Sequence, residues 1–118
     1  MSKINLAWDT FEFHSLEGAK LESKHYENLN KLNGLLNSNV KKINPKFKDE
    51  IFEDLSLLHN SYLKQLDAIN DLINNVKSGD FPDSEVLDIS SLNTLKNVVS
   101  TLIAESEVYH KKLKNYFD

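Results

Sequence analysis

The sequence has 118 residues, with 14 Lys, no Arg, 18 Asp or Glu, four His and no Cys, so its formal net charge is −4 at pH 7. This length fits one domain, and the lack of cysteine excludes disulfide scaffolds, thiolate zinc sites, iron–sulfur centres and thiol nucleophiles. Leu, Ile, Val and Phe make up 37 of the 118 residues. That share lies well above the content at which chains stay disordered, so we expect residues 1–118 to fold as a single domain.

The sequence carries no classical export signal. Residues 1–9 contain one lysine but no apolar stretch of the length that a secretory signal peptide needs. No apolar run approaches the roughly 20 residues of a membrane helix. We therefore expect a cytoplasmic protein without a membrane span, and secretion without a signal peptide stays open. Lysine without arginine, together with 14 asparagines, is typical of AT-rich codons and favours a low-GC bacterium or its phage as the source.

The first third of the chain is predicted to be an N-terminal arm over residues 1–15, followed by helix 1 over residues 16–43. In the arm, apolar and polar residues alternate from Ile4 to Phe13, which favours an extended segment. Within helix 1, the dipeptide Asn33-Gly34 either stays helical at a cost of about 1 kcal/mol or kinks the helix. The stripe that predicts helix 1 consists of Leu21, His25, Leu29, Leu32, Leu36 and Ile43.

Helix 2 is predicted over residues 45–78. Asn44 suits an N-cap, and Pro45 suits the first helical position. Gly79 can close the helix in the left-handed conformation, and Pro82 forbids its continuation. Between these signals a heptad stripe runs through Ile51, Leu55, Leu58, Tyr62, Gln65, Ile69, Leu72 and Val76.

Helix 3 is predicted over residues 84–117, with or without a short preceding turn, and Ser90 or Ser91 is the predicted cap of its main part. A second heptad stripe supports it, formed by Leu92, Leu95, Val99, Leu102, Ser106, Tyr109, Leu113 and Tyr116. Long stripes and short connections predict an all-α fold: an antiparallel bundle of about three long amphipathic helices with an N-terminal arm.

Charge is unevenly distributed along the chain. Residues 19–48 carry a net charge of +5, whereas residues 49–90 carry −8. Antiparallel packing of helix 1 against helix 2 would therefore bring opposite fields together. The acidic face is predicted to comprise Asp49, Glu50, Glu53, Asp54, Asp67 and Asp71. One hypothesis for such a face is an inhibitor that mimics nucleic acid.

No motif in the sequence specifies a catalytic chemistry. No two of His14, His25, His59 and His110 are spaced three or four residues apart, as a helical metal pair requires. Serine-nucleophile motifs and glycine-rich phosphate loops are also absent. We therefore expect no enzyme activity, no catalytic residue, no metal site and no cofactor. The lack of Arg and the negative net charge also argue against a nucleic-acid ligand.

Leu21-Glu22-Ser23-Lys24-His25, with Trp8 upstream and Leu29 and Leu32 downstream, resembles the first helix of hemerythrin-like oxygen carriers. The resemblance covers about 25 residues and implies a helical bundle that holds a di-iron centre. The family's further ligand pairs do not follow, because Leu63 stands four residues after His59 and Asn115 stands five residues after His110. This resemblance gives a degenerate metal-binding bundle as a second alternative function.

Aromatic side chains flank the predicted stripes and can serve as anchors for another helix. The predicted partner-binding residues are Trp8, Phe11, Phe13, Phe47, Phe52, Phe81, Tyr109, Tyr116 and Phe117. We therefore interpret the chain as a non-enzymatic helical module that binds another protein, in a hetero-complex or a homodimer. A secretion accessory, an immunity factor and a phage-type antagonist are functions of this kind.

Leu32-Asn33-Gly34 is similar to the Leu-x-Gly motif of the LXG-type group in type VII secretion. Small, acidic, cysteine-free helical proteins of that system, the WXG-type proteins and the partners of LXG-type toxins, pack long helices against a partner's helices. The resemblance thus implies a secretion accessory that works by helix packing. The chain contains no Trp-x-Gly motif and no Tyr-x-x-x-Glu or Phe-x-x-x-Asp export motif.

Overall fold

The computed structural model describes residues 3–38, 42–81 and 87–117, and these residues form three α-helices and no strand. The helices are α1 (Lys3–Asn37), α2 (Pro45–Lys77) and α3 (Ile89–Phe117). The predicted all-α fold of three long helices is therefore confirmed. Successive helices are antiparallel: His14 and Asn28 of α1 contact Gln65 and Asp54 of α2, and Ser106 and Phe117 of α3 contact His59 and Phe52 of α2.

Helix α2 has the boundaries and the buried face that the sequence predicts. The Asn44 side chain accepts a hydrogen bond of 2.9 Å from the backbone N–H of Lys46, and Pro45 opens the helix. Gly79 closes it with φ of +86°, and the Asp80 N–H donates to the Asn75 carbonyl oxygen, as in a Schellman motif. All eight residues of the predicted heptad stripe are buried. Pro82, the predicted helix breaker, lies outside the described residues.

The predicted N-terminal arm is wrong, because α1 is helical from Lys3 onward. Ile4, Ala7 and Phe11 are buried against the core, and their spacing of three and then four residues is that of a helical face. The helix continues through Gly34 without a break and ends at Asn37 instead of residue 43. Its last turn is closed by Ser38, whose N–H and hydroxyl both donate to the Gly34 carbonyl oxygen.

Helix α3 begins at Ile89, later than the predicted start at residue 84. Its cap is Asp88 and not Ser90 or Ser91, since the Asp88 carboxylate accepts from the Ser91 N–H at 2.8 Å and from the Ser91 hydroxyl at 3.0 Å. These hydrogen bonds lower the pKa of Asp88. Residues 84–86, which belong to the predicted helix, lie outside the described residues.

A polar layer joins α1 to α2 at a close approach of the two helices. The Ser61 hydroxyl and the Gln65 amide donate to the His14 carbonyl oxygen, at 2.9 and 3.0 Å. Gly18 makes this approach possible, because a Cβ at its position would lie 2.7 Å from Gln65 Nε2 and 3.2 Å from Ser61 Oγ. The polar layer therefore depends on a residue without a side chain.

The central helix, α2, makes the backbone-to-backbone packing contacts with both of the other helices. Both α1 and α3 pack against α2, whereas no Cα atom of α1 lies within 8 Å of one in α3 among the described residues. The outer helices meet through side chains, as in the edge-to-face contact of His25 and Tyr109, whose ring centroids are 5.9 Å apart. None of the described helices combines the length and apolarity needed to cross a bilayer.

Candidate functional site

The nine aromatic residues predicted to bind a partner divide into core and surface. Phe11 and Phe47 are buried, and Trp8, Phe52 and Phe117 pack partly buried against the core. Those five residues support the fold. The other four are exposed over two-fifths or more of their surface: Phe13, Phe81, Tyr109 and Tyr116.

The space between the outer helices forms a groove whose floor is α2. We call it the α1–α3 groove, and at its centre it leaves about 20 Å³ of open space. The α1 wall carries Glu22, His25 and Tyr26. The α3 wall carries Leu102, Glu105 and Tyr109, and Tyr62 of α2 lies on the floor.

A hollow on the surface of α3 adjoins the α1–α3 groove at Leu102. The hollow is shallow and mainly apolar, measures about 360 Å³ and includes Val98. Val98 is 50% exposed, and Tyr26 and Tyr109 are 53% and 41% exposed. These exposed apolar surfaces border the groove without a covering element among the described residues.

Electrostatics at the groove centre are dominated by two carboxylates. The Tyr62 hydroxyl donates to Glu22 Oε2 at 2.8 Å, and burial together with this hydrogen bond raises the pKa of Tyr62 strongly. The charge of Glu22 is also the main cause of the raised pKa of Tyr26, to which Glu105 contributes from the other wall. Both carboxylates therefore act on the same phenols from opposite sides of the groove.

His25 is the unusual group in this wall. Its side chain is 97% buried, with only 3% exposed, and neither ring nitrogen has a hydrogen-bond partner. Burial lowers the pKa of His25 below its ordinary value of 6.5, against the opposing charges of Asp54 and Glu22. The imidazole is therefore a neutral group with an unsatisfied donor and an unsatisfied acceptor.

A second groove, between α2 and α3, contains the other histidines. It measures about 420 Å³ and is lined by His59, Ser106, Glu107 and His110 among others. The Ser106 hydroxyl donates to the Ile103 carbonyl oxygen at 2.7 Å, so its single proton is committed there. His59 Nδ1, 2.7 Å from Ser106 Oγ, is then the donor of that contact. The arrangement links α2 to α3.

The six residues of the predicted acidic face differ in their surroundings. Asp49, Glu50, Glu53, Asp67 and Asp71 are exposed, whereas Asp54 accepts a hydrogen bond of 2.8 Å from the Asn28 amide of α1. Asp67 and Asp71 line a third groove, of about 410 Å³, beside Lys3 and Lys64. Asp54 therefore serves the packing of α1 on α2.

The pairing of carboxylates and phenols across the groove is not among the sequence-based predictions. A usable signal was present, because Glu22 and Tyr26 have the same spacing on α1 as Glu105 and Tyr109 on α3. Residues four apart share a helical face, so each pair lies along one wall. The resemblance of Leu32-Asn33-Gly34 to the LXG-type motif falls within α1, where Leu32 is buried and Gly34 is exposed.

Among the residues that the structure describes, no group of three or more His, Asp or Glu side chains is arranged to hold a metal ion. Comparisons of the chain with models of known protein families, with curated proteins and with solved structures find no match.

Proposed function

We propose that this chain is a non-enzymatic protein-binding module that receives a helix of another protein in the α1–α3 groove. The observation that carries the proposal is the separation of the outer helices: both pack on α2, but their backbones stay apart. Packed helices normally lie 8–10 Å apart, and a further helix laid between α1 and α3 would complete a four-helix arrangement. Helix-in-groove binding uses apolar anchors of the kind that Tyr26, Val98 and Tyr109 offer.

The charge of the groove favours a different protein over a second copy. Glu22 and Glu105 have no ion-pair partner within 4.0 Å among the described residues. A symmetric dimer through this groove would bring the two carboxylates of one copy toward the same acidic patch of the other, because an isologous interface pairs the same patch on both subunits. Like charges brought together in this way cost binding free energy. A helix with basic residues would instead be attracted.

A secretion accessory, an immunity factor and a phage-type antagonist all work by contacts of this kind. The resemblance to type VII secretion proteins is one hypothesis for the biological setting, and it too would employ helix packing. The acidic nucleic-acid mimic is the competing hypothesis. It differs in the surface used, since it requires the exposed acids of α2, such as Asp67 and Asp71, rather than the α1–α3 groove.

Site-specific photo-crosslinking tests the proposal in the native host. A benzoylphenylalanine is placed at Tyr26 in the groove or at Val98 in the adjoining hollow of α3, and at Leu16 as a matched control on α1. Leu16 is 67% exposed but does not line the groove. We expect Tyr26 and Val98, and not Leu16, to crosslink to the same helical protein, with a reduced yield remaining at high salt because salt screens the charges of the groove but hardly affects apolar contacts.

Three results would contradict the proposal. Crosslinks only between copies of the chain would replace the hetero-complex with a homodimer, and equal yields at Leu16 would show that the groove is not selective. Capture that disappears at high salt and in a combined Asp67→Asn and Asp71→Asn variant, with Tyr26 and Val98 silent, would favour the acidic mimic.

A further inference from the structure

We propose that the centre of the α1–α3 groove recognises a lysine of the partner helix, with Glu22 and Glu105 as counter-ions of its ammonium group. This inference rests on the proposed function, because the lysine is supplied by the helix that enters the groove. The rings of Tyr26 and Tyr109 would flank the alkyl stem of that lysine.

The two carboxylates are available to an incoming cation. Glu22 accepts one hydrogen bond from Tyr62 through Oε2, and a carboxylate has room for several donors. Glu105 has neither a hydrogen bond nor an ion pair in the described part of the chain, and it is exposed. A cation placed between them would gain from both charges, and those gains are larger in a partly enclosed groove than in bulk water.

His25 provides an independent sign that a polar ligand is missing from this place. Buried polar groups nearly always have a hydrogen-bond partner, and an unsatisfied one calls for an explanation such as an absent ligand or water. Both nitrogens of the His25 ring are unpartnered although the side chain is 97% buried, and the ring lines the groove. A neutral imidazole can accept a hydrogen bond from an ammonium group.

The aromatic walls suit a cation with an apolar stem. Tyrosine faces attract ammonium groups within about 6 Å of the ring centroid. Lys112 Nζ of the chain itself already lies 6.0 Å from the centroid of Tyr109, although it forms no ion pair with Glu22 or Glu105 within 4.0 Å. The Tyr109 ring is therefore in a position to interact with a cation, and the carboxylates are left for a second one.

The size of the space selects the kind of cation. About 20 Å³ accommodates one water-sized group, since a single water needs at least about 10–15 Å³ of such space. A primary ammonium is a compact point charge on a flexible stem, whereas a guanidinium is a wider planar fork. The geometry thus favours lysine over arginine, and a single bound water is the alternative occupant.

Titration of the full-length, ¹⁵N-labelled protein with n-butylammonium chloride tests the inference without a partner. Ionic strength is held constant with NaCl, and the readouts are the ring nitrogens of His25 and the backbone amides on both walls. We expect saturable shifts with a midpoint of about 10 mM, a weak affinity appropriate to a small fragment. Butanol, which lacks the charge, and tetramethylammonium, which exceeds the available space, should not reproduce them.

Glu105→Gln and Glu107→Gln form a matched pair of variants. They remove the same charge from the same exposed stretch of α3, but Glu105 lines the α1–α3 groove and Glu107 lines the groove between α2 and α3. We expect Glu105→Gln to weaken butylammonium binding at least fivefold and Glu107→Gln to leave it within twofold. Circular dichroism of both variants verifies that the helices are retained.

Three results would overturn the inference and leave a bound water as the occupant. The chemical shifts fail to saturate, butanol or tetramethylammonium reproduces them, or Glu105→Gln and Glu107→Gln weaken butylammonium binding equally. Its failure is distinguishable from failure of the proposed function. If photo-crosslinks from Tyr26 and Val98 persist without ammonium binding, the protein-binding module stands and the lysine specificity is wrong. If butylammonium binds but the groove crosslinks to no protein, the groove is a site for a small amine and the proposed function is wrong.

Discussion

Two glycines of α1 should respond in opposite ways to the same substitution, Gly→Ala. Both lie within the helix, where alanine is favoured over glycine by about 1 kcal/mol. At Gly34 nothing lies within 4 Å of the added Cβ, so the full benefit should appear in the free energy of unfolding. At Gly18 the added Cβ would lie 2.7 Å from Gln65 Nε2, a distance that forces the amide to move.

The cost at Gly18 follows from what the Gln65 amide holds. It donates to the His14 carbonyl oxygen at 3.0 Å and to Ser61 Oγ at 3.3 Å, and the side chain is only 6% exposed. Losing these contacts and leaving a buried amide unsatisfied costs about 2–4 kcal/mol. After the gain of about 1 kcal/mol from helix propensity, Gly18→Ala should destabilise the protein by about 1–3 kcal/mol.

Urea unfolding followed by circular dichroism at 222 nm measures both variants, since a domain of this size is expected to unfold in one cooperative step. Two further variants, Gln65→Ala alone and Gly18→Ala combined with Gln65→Ala, complete a double-mutant cycle that tests the mechanism. If the amide is the obstacle, the two substitutions should couple by at least about 1 kcal/mol. A Gly18→Ala variant that is stabilised as much as Gly34→Ala would refute the close approach of α1 to α2.

Three further changes test the core, a cap and the buried imidazole. Ile69→Ala removes a side chain with no exposed surface and should lower the free energy of unfolding in urea by about 2–5 kcal/mol. The control Leu63→Ala, at an exposed position of the same helix, should lower it by about 0.5 kcal/mol or less. Equal losses of stability in the two variants would contradict the packing of α2. Asn44→Ala removes the N-cap of α2 and should lower stability by about 1 kcal/mol, and an unchanged urea midpoint would show that the cap is dispensable. Because burial lowers the pKa of His25, the unfolded chain binds more protons than the folded one, so stability is retained above pH 6.5 and is lost as the pH falls through the folded-state pKa. His25→Leu should flatten this dependence in urea unfolding between about pH 5 and 7, and an unchanged slope would place its cause elsewhere.

Helix α2 could be predicted in detail because several independent signals coincide there. Its cap at Asn44, its terminator at Gly79 and its stripe of apolar residues all specify the same boundaries, and each is visible in the sequence alone. Local preference and the buried face agree along its whole length. Agreement of this kind is what makes a segment predictable from a single sequence.

The N-terminal part of α1 is difficult to predict from the sequence because exposed apolar residues stand between its buried ones. Leu6 and Phe13 create the alternation that indicates an extended segment, yet both point to solvent, at 59% and 62% exposed. The true face of the helix includes Ala7 and Gly18, which contribute little hydrophobicity. Composition alone could not reveal which apolar residues were buried.

The rest of the buried face of α1 and most of the groove are difficult to predict from the sequence because polar residues form them. Asn28 can be buried because its side-chain amide donates a hydrogen bond to Asp54, which lies 26 residues later in the sequence. The groove depends on Glu22 and Glu105, which come near each other only through α2. Such cross-helix partners depend on register and orientation, which the spacing of residues within one helix does not encode. The all-α class could therefore be predicted, but the α1–α3 groove could not.

The unequal burial of the three helices bears on how a partner would act. Among the described residues, α2 has twelve buried residues and α1 has seven, whereas α3 has only four over a similar length. Since little buried surface means a low free energy of local opening, amide hydrogen exchange should be fastest in α3 and slowest in α2. A helix seated in the α1–α3 groove would cover the exposed surface of α3 around Val98 and Tyr109, and ligand binding stabilises the state to which it binds. Partner binding should therefore slow exchange in α3 more than in α2, and an equal slowing in all three helices would indicate that the partner binds elsewhere.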